Sequence, residues 1–176
     1  PQDPMLLATK TVMGDVFLFD VRKHPSIPRD PICRPNWILK GHTKEGYGLS
    51  WSPLRKGFIA SGSDDQRVCV WDIQGNADPL NVQPLISYKE QGDIVEVAAR
   101  GEVTSGRFGH PFDDHVLASC GDDCCVLFYD IRQPHSASKL RAHEKEVNTI
   151  QFHPQERYLF VTASSDSTLA LWDHRN

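Results

Sequence analysis

The stretch VCVWDIQ (Val68–Gln74) indicates the fold, because it joins a short apolar strand to an aromatic–aspartate pair. Three further segments end in the same way, and the four aspartates follow one another at intervals of 52, 58 and 43 residues. Repetition at intervals of this size predicts an array of similar structural units. The three segments are VFLFDVR (Val16–Arg22), VLFYDIR (Val126–Arg132) and LALWDHR (Leu169–Arg175).

Other residues recur in register with these strand ends. Three repeats carry a turn aspartate six residues before the aromatic residue and a small hydroxyl residue ten residues before it. Two repeats also open with a small residue and a histidine, as Gly41-His42 and Ala142-His143. Chance does not produce such a register three times. The residues are Asp65, Asp123 and Asp166, and Ser61, Ser119 and Thr162.

Short apolar runs between turn residues predict β-strands, and no stretch shows a sustained helical period. Together with the repeats, they predict an all-β fold, a WD-repeat β-propeller with four strands per blade, lettered a to d from the axis outward. Strand counting gives 14 strands, about three and a half blades of a larger, seven-bladed propeller. The predicted blades span 1–40 (without strand a), 41–88, 89–141 (divergent, with strand a at 103–108) and 142–176 (without strand d).

The composition limits the possible partners. The chain has 19 Lys and Arg against 23 Asp and Glu, a net charge of −4, which disfavours direct nucleic-acid binding. No apolar run approaches the roughly 20 residues that cross a bilayer. The five cysteines are an odd number, which favours reduced thiols in an intracellular compartment. We expect an intracellular, soluble protein with no membrane partner.

Two sets of side chains resemble a catalytic nucleophile, base and acid. No nucleophile elbow or oxyanion loop accompanies them, so we do not predict an enzyme or a small-molecule substrate. Instead, we predict buried hydrogen-bonded networks that run from an aspartate through a histidine and a hydroxyl to a strand-c indole. The predicted sets are His42, Ser61, Asp65 and Trp71, and His143, Thr162, Asp166 and Trp172.

The divergent blade departs from this pattern. It cannot build the same network, because Ala99 stands at the histidine position and Tyr129 replaces tryptophan. Cys120, Cys124 and Cys125 surround one hairpin, but they lack the closed set of about four ligands that zinc requires. We therefore predict no metal and no cofactor.

Three segments carry a more specific resemblance: LLATKTVMGDVFLFDVRKHPS (Leu6–Ser26), KGHTKEGYGLSWSP (Lys40–Pro53) and AHEKEVNTIQFHPQERYLFVTASSDSTLALWDHRN (142–176). They resemble the histone-binding MSI-type WD-repeat proteins, which include retinoblastoma-associated chaperone subunits. The resemblance is weak across 78–101. It implies a nuclear, non-enzymatic histone-binding scaffold or chaperone subunit of chromatin assembly or modifying complexes. The implied partners are core histone tails and chromatin-complex subunits.

The resemblance also implies a binding face at the axial end where the a strands begin. Carboxylates gathered there would select Arg and Lys side chains and speed their encounter. The alternative is that these residues are ordinary solvated charges. The residues implied to bind a cationic tail are Glu45, Tyr47, Glu102, Asp122, Glu146 and Asn148.

A second function is suggested by three repeat ends that read aromatic-Asp-x-Arg. This pattern resembles the WDxR motif of propellers that act as substrate adaptors of cullin ubiquitin ligases. An arginine after strand c is also a common solvated residue, so both interpretations stay open. The arginines are Arg22, Arg132 and Arg175.

Overall fold

A computed structural model describes residues 3–89, 95–96, 115–156 and 158–175. In these ranges 14 strands form four antiparallel sheets, each with three or four strands. The predicted all-β propeller class is confirmed by these sheets. Each sheet lies within one of the four ranges predicted for the blades, whose limits stay predictions.

The first two sheets follow the strand order of the sequence, because each strand pairs with the next strand along the chain. A 3-10 turn at Val21–Lys23 follows the second strand. The first sheet contains β1 (Leu6–Lys10), β2 (Val16–Asp20) and β3 (Trp37–Leu39). The second contains β4 (Leu49–Trp51), β5 (Phe58–Ser63), β6 (Arg67–Asp72) and β7 (Ile86–Tyr88).

The third and fourth sheets have the same antiparallel order. The third contains β8 (Val95–Glu96), β9 (Val116–Gly121), β10 (Cys125–Asp130) and β11 (Ser136–Arg141). The fourth contains β12 (Val147–Phe152), β13 (Leu159–Ser164) and β14 (Leu169–Asp173).

The inner strand of the third sheet differs from the sequence prediction. The structure pairs Val95 with Gly121, and Val147 pairs with the equivalent Ser164 of the fourth sheet. The predicted inner strand, 103–108, lies outside the described residues. Short segments that begin with valine occur at both places, at Val95 and at Val103, so the residue pattern did not decide which of them pairs with β9.

The hydrophobic core lies between successive sheets. One apolar cluster joins the first sheet to the second, another the second to the third, and a third the third to the fourth. Because both faces of the middle sheets are covered, all six residues of β5 are buried. The same covering of both faces explains why β10 reads as a nearly continuous apolar run.

Tyr88 of β7 connects the second sheet to the third. Its hydroxyl lies 3.0 Å from the carbonyl oxygen of Asp130 and 2.9 Å from that of Gln133, and it donates to both. Its ring centroid lies 4.5 Å from that of Tyr129. A buried phenol whose hydroxyl is bonded satisfies its polar end while its ring contributes apolar contact.

The antiparallel order gives each sheet two distinct ends. The hairpin between the second and third strands of a blade lies beside the start of the inner strand, and we call this the hairpin end. The connections between β4 and β5 and between β2 and β3 lie at the opposite end, which we call the loop end.

Candidate functional site

Equivalent hydrogen bonds hold two predicted tail-binding residues at the hairpin end. In the second sheet, the Asp64 amide donates to the carbonyl oxygen of Glu45 at 3.0 Å, and the Ser63 hydroxyl contacts the same oxygen at 2.7 Å. In the fourth sheet, the Ser165 amide donates to the carbonyl oxygen of Glu146 at 3.1 Å. Glu45 and Glu146 therefore occupy matching positions beside their hairpins.

Glu45 and Tyr47 line a common pocket of about 350 Å³ between β1 and the start of β4. Both side chains are exposed, and Tyr47 retains 69% of its accessible area. Lys10 also lines this pocket, and its ammonium donates to the carbonyl oxygen of Gly62. Burial lowers the pKa of Lys10 to about 8. The pocket thus places an exposed carboxylate and an exposed phenol beside an inward-held cation.

The other predicted tail-binding residues are placed as follows. Glu146 is half-buried, whereas Asn148 is exposed and its amide exchanges hydrogen bonds with the Ser165 hydroxyl at 3.2 and 3.3 Å. Asp122 opens the hairpin of the third sheet and is half-buried. Glu102 lies outside the described residues.

Gly46 is a residue of this site that the sequence analysis missed. A Cβ atom at Gly46 would lie 2.6 Å from the Ser63 Cα atom and 2.7 Å from the Gly62 carbonyl oxygen. No side chain fits at these distances, so glycine permits the close approach of the segment that carries Glu45 and Tyr47. The signal in the sequence was a glycine between two predicted binding residues.

The fourth sheet contains the complete predicted network, with His143 and Thr162 buried and Asp166 and Trp172 half-buried. His143 contacts Asp166 through Nδ1 at 3.1 Å and the Thr162 hydroxyl through Nε2 at 2.7 Å. The Trp172 indole N–H donates to the same hydroxyl at 2.8 Å. Hydrogen bonds, first from the Thr168 hydroxyl and also from His143, hold the pKa of Asp166 well below its usual range.

The network prediction is wrong for two links in the second sheet. His42 contacts Asp65 at 3.2 Å, but its Nε2 lies 3.2 Å from the backbone carbonyl oxygen of Ser61. The Trp71 indole donates to the Lys40 carbonyl at 2.8 Å, and the buried Ser61 hydroxyl has no hydrogen-bond partner among the described residues. Backbone carbonyls take the places beside His42 Nε2 and the Trp71 indole that the Ser61 hydroxyl was predicted to fill. Serine also lacks the methyl group that restricts the rotamer of threonine.

The His42 side chain, including both ring nitrogens, is fully buried. Burial, and after it the neighbouring Lys10 ammonium, lowers the pKa of His42 to about 4. Since the unfolded value is 6.5, the unfolded state binds more protons between pH 6.5 and 4. Stability is therefore lost as the pH falls through this range.

We expect the lowered pKa of His42 to decrease the free energy of unfolding by about 3 kcal/mol between pH 7 and pH 4. His42→Gln should remove this pH dependence of stability. Urea unfolding of both proteins at pH 7, 5.5 and 4 measures the difference. An NMR titration of the His42 ring provides the control. A midpoint near 6.5, or equal pH dependence in both proteins, would contradict the prediction.

The third sheet has a short network of its own. The Ser119 hydroxyl lies 3.0 Å from the Tyr129 hydroxyl, and both side chains are buried. The predicted histidine position, Ala99, lies outside the described residues. Tyr129 thus gives Ser119 the hydrogen-bond partner that the Trp172 indole gives Thr162 in the fourth sheet.

The three arginines of the aromatic-Asp-x-Arg pattern bind the aspartate two residues earlier. The Nε–Oδ distances are 2.7 Å for Arg22, 2.8 Å for Arg132 and 2.9 Å for Arg175. These hydrogen bonds lower the pKa values of Asp130 and Asp173 to about 2. The repeated arginine therefore has a local structural role, and its use in ligase docking stays a prediction.

The described cysteines are free thiols. Cys120 and Cys125 are buried, and burial raises the pKa of Cys125. Within the described ranges, no three His, Cys, Asp or Glu side chains are grouped as metal ligands. In the same part of the chain, no helix has the length and apolar character to span a membrane.

Comparisons with known proteins agree with the repeats and the sheets. The WD domain, G-beta repeat family matches residues 33–72 and 135–173. A chain from the crystal structure of the mitotic checkpoint complex shares the fold, with a TM-score of 0.74 and 19% identity over 99% of this chain and 48% of that one. The chain therefore contains WD repeats and has the β-propeller fold.

The more specific resemblance is also confirmed. The chain is related to the WD-40 repeat-containing protein MSI3 of Arabidopsis thaliana, with 37% identity over 175 residues. The match covers 99% of this chain and 39% of that protein. The chain thus spans less than half the length of this relative.

Proposed function

We propose that this chain is part of a nuclear, non-enzymatic histone-binding scaffold, a chaperone subunit of chromatin assembly or modifying complexes. In this proposal, its hairpin end binds the cationic tails of core histones or of partner subunits. The observation that carries the proposal is the common pocket of Glu45 and Tyr47. The relationship to MSI3 supports a role in protein–protein interaction.

The chemistry of this pocket suits an arginine or lysine side chain. The Glu45 carboxylate accepts hydrogen bonds from a guanidinium, and the Tyr47 ring offers a face for cation–π contact. The Lys10 ammonium would repel the cationic side chain of a tail, but it is directed inward to the carbonyl oxygen of Gly62. A cationic side chain would therefore approach from the exposed side, where Glu45 and Tyr47 lie.

The fourth sheet supplies a second carboxylate in the matching position. The backbone of Glu146 is fixed by the same hairpin contact as that of Glu45. An extended peptide carries several cationic side chains, so equivalent acids on different blades can each hold one. Two separated contacts also explain how such a face would select a tail instead of a single free amino acid.

Burial of the candidate nucleophiles supports a non-enzymatic role. Ser61 retains none of its accessible area and Thr162 retains 1%. Thr162 is also occupied as the acceptor of the Trp172 indole. A nucleophile must reach its substrate, and these hydroxyls lie inside the sheets.

Charge reversal tests the proposal. In the intact protein, Glu45→Lys combined with Glu146→Lys is expected to weaken binding of an Arg/Lys-rich tail peptide about 100-fold and to flatten its salt dependence. Titration by fluorescence anisotropy at several salt concentrations measures both. Glu144→Lys is the matched control, because Glu144 is exposed at the same end. Equal affinity and salt slope in the double variant and wild type would remove the proposal.

A further inference from the structure

The connection between β2 and β3 forms a groove of about 780 Å³ at the loop end, opposite the proposed tail-binding face. We call it the β2–β3 groove. The Asn36 side-chain oxygen anchors its base, because it accepts from the Asp20 amide at 2.7 Å and contacts His24 at 2.8 Å. Its lining includes Lys23, Arg29, Ile32, Cys33 and Arg34.

The groove is cationic although the chain is acidic. Residues 21–36 contain four basic residues and one acidic residue, whereas the whole chain has a net charge of −4. Arg22 is neutralised by Asp20, and Arg34 forms a bidentate pair with Asp30 at 2.7 and 2.9 Å. The other two cations, Lys23 and Arg29, form no ion pair with an acid of the described chain, although Lys23 is close enough to Asp20 to help lower the pKa of that carboxyl.

These two cations are placed for binding in different ways. The Lys23 ammonium lies 5.4 Å from the Trp37 ring centroid, which restricts its position. Arg29 is exposed and makes no ion pair with any residue that the structure describes. The Lys23 ammonium is therefore positioned before a ligand binds, whereas the Arg29 side chain can adjust its position to the ligand.

The groove also presents apolar surface. Ile32 lines it and retains 62% of its accessible area, and Ile27 of the same connection retains 78%. Prolines at 25, 28 and 35 also line the groove, and their fixed φ limits the ordering cost of the connection on binding. Exposed isoleucines beside unpaired cations indicate a ligand that is both acidic and apolar.

We propose that the β2–β3 groove binds a short acidic peptide segment of a partner protein. Its carboxylates pair with Lys23 and Arg29, and its apolar side chains cover Ile32. Two unpaired cations are few for a phosphate backbone, and the acidic remainder of the chain repels a long polyanion. The groove and the tail-binding face lie at opposite ends, so this proposal does not depend on the proposed function.

Peptide binding to the intact protein tests the groove. The probe is a fluorescein-labelled peptide that alternates Asp or Glu with Leu, and its counterpart carries Asn and Gln in place of the acids. We expect the acidic peptide to bind at least about tenfold more tightly than the amide peptide. Lys23→Glu and Arg29→Glu should each remove about tenfold of its affinity. Lys56→Glu, an exposed charge reversal in the β4–β5 connection, should change it less than about twofold.

Cys33 gives an independent readout inside the groove. It is an exposed free thiol, so saturating acidic peptide should slow its alkylation by iodoacetamide, while Cys124 at the hairpin end reacts at an unchanged rate. An unchanged urea unfolding midpoint in Arg29→Glu confirms that this variant is folded. Equal binding of the acidic and amide peptides, unchanged affinity in both charge reversals, or unprotected Cys33 overturns the proposal. Tighter binding of a 12-nucleotide single-stranded DNA would assign the groove to nucleic acid and also overturn it.

Discussion

Thr162→Val is expected to lower the free energy of unfolding by about 3 kcal/mol, whereas Ser61→Ala should change it by less than about 0.5 kcal/mol. The two positions are equivalent, but their hydroxyls are not. Thr162 binds both the Trp172 indole and His143. Valine preserves its shape and leaves two buried polar groups without a partner. The Ser61 hydroxyl makes no hydrogen bond with any residue that the structure describes, so alanine removes little.

Urea unfolding of the intact protein, followed by tryptophan fluorescence, measures both variants. Amide exchange in β13 and β14 provides the local control, since loss of the hydroxyl should loosen the fourth sheet before the second. Equal destabilisation by Thr162→Val and Ser61→Ala would show that the difference between the two networks is wrong.

Gly46→Ala is expected to lower the unfolding free energy by about 2 kcal/mol and to weaken cationic-tail binding about tenfold. The added methyl group would meet the backbone of Ser63 and Gly62, which cannot move away as a flexible side chain would. The segment must shift outward instead. Glu45 and Tyr47 flank Gly46, so both proposed binding groups would move with it.

Gly75→Ala is the matched control for this substitution. Gly75 has a φ of +74°, and a Cβ there meets nothing within 4 Å. We expect a cost of about 1 kcal/mol from backbone strain alone, with tail affinity unchanged. Calorimetry and peptide titration on the two variants separate a general loss of stability from displacement of the site. If Gly46→Ala bound the tail as wild type does, Gly46 would have no role in positioning.

The sequence predicted the middle strands of each blade because two independent signals coincide there. In β6, for example, an apolar run ends at the aromatic–aspartate pair Trp71-Asp72 and follows the turn aspartate Asp65. Alternation alone was weaker, and it did not identify Val95–Glu96 as the strand beside β9. A period of two residues fits any alternating segment, whereas pairing depends on the register of the whole blade.

Side-chain partners were harder to predict than strands. His42 and His143 stand in the same pattern, yet one contacts a backbone carbonyl and the other a hydroxyl. A repeat pattern specifies which groups are near one another, but shifts of a few tenths of an ångström decide which acceptor a donor reaches. The role of Gly46 likewise depends on the distance between two backbones, which residue spacing does not contain.

The Tyr88 hydroxyl also affects how the second and third blades respond to mechanical force. It bridges the outermost strand of one blade to the turn of its neighbour, so peeling that strand away exposes the carbonyls of Asp130 and Gln133. A pulling force on the second blade is therefore passed to the third blade through these hydrogen bonds. The second and third blades should therefore unfold under load as one cooperative unit and not independently of each other.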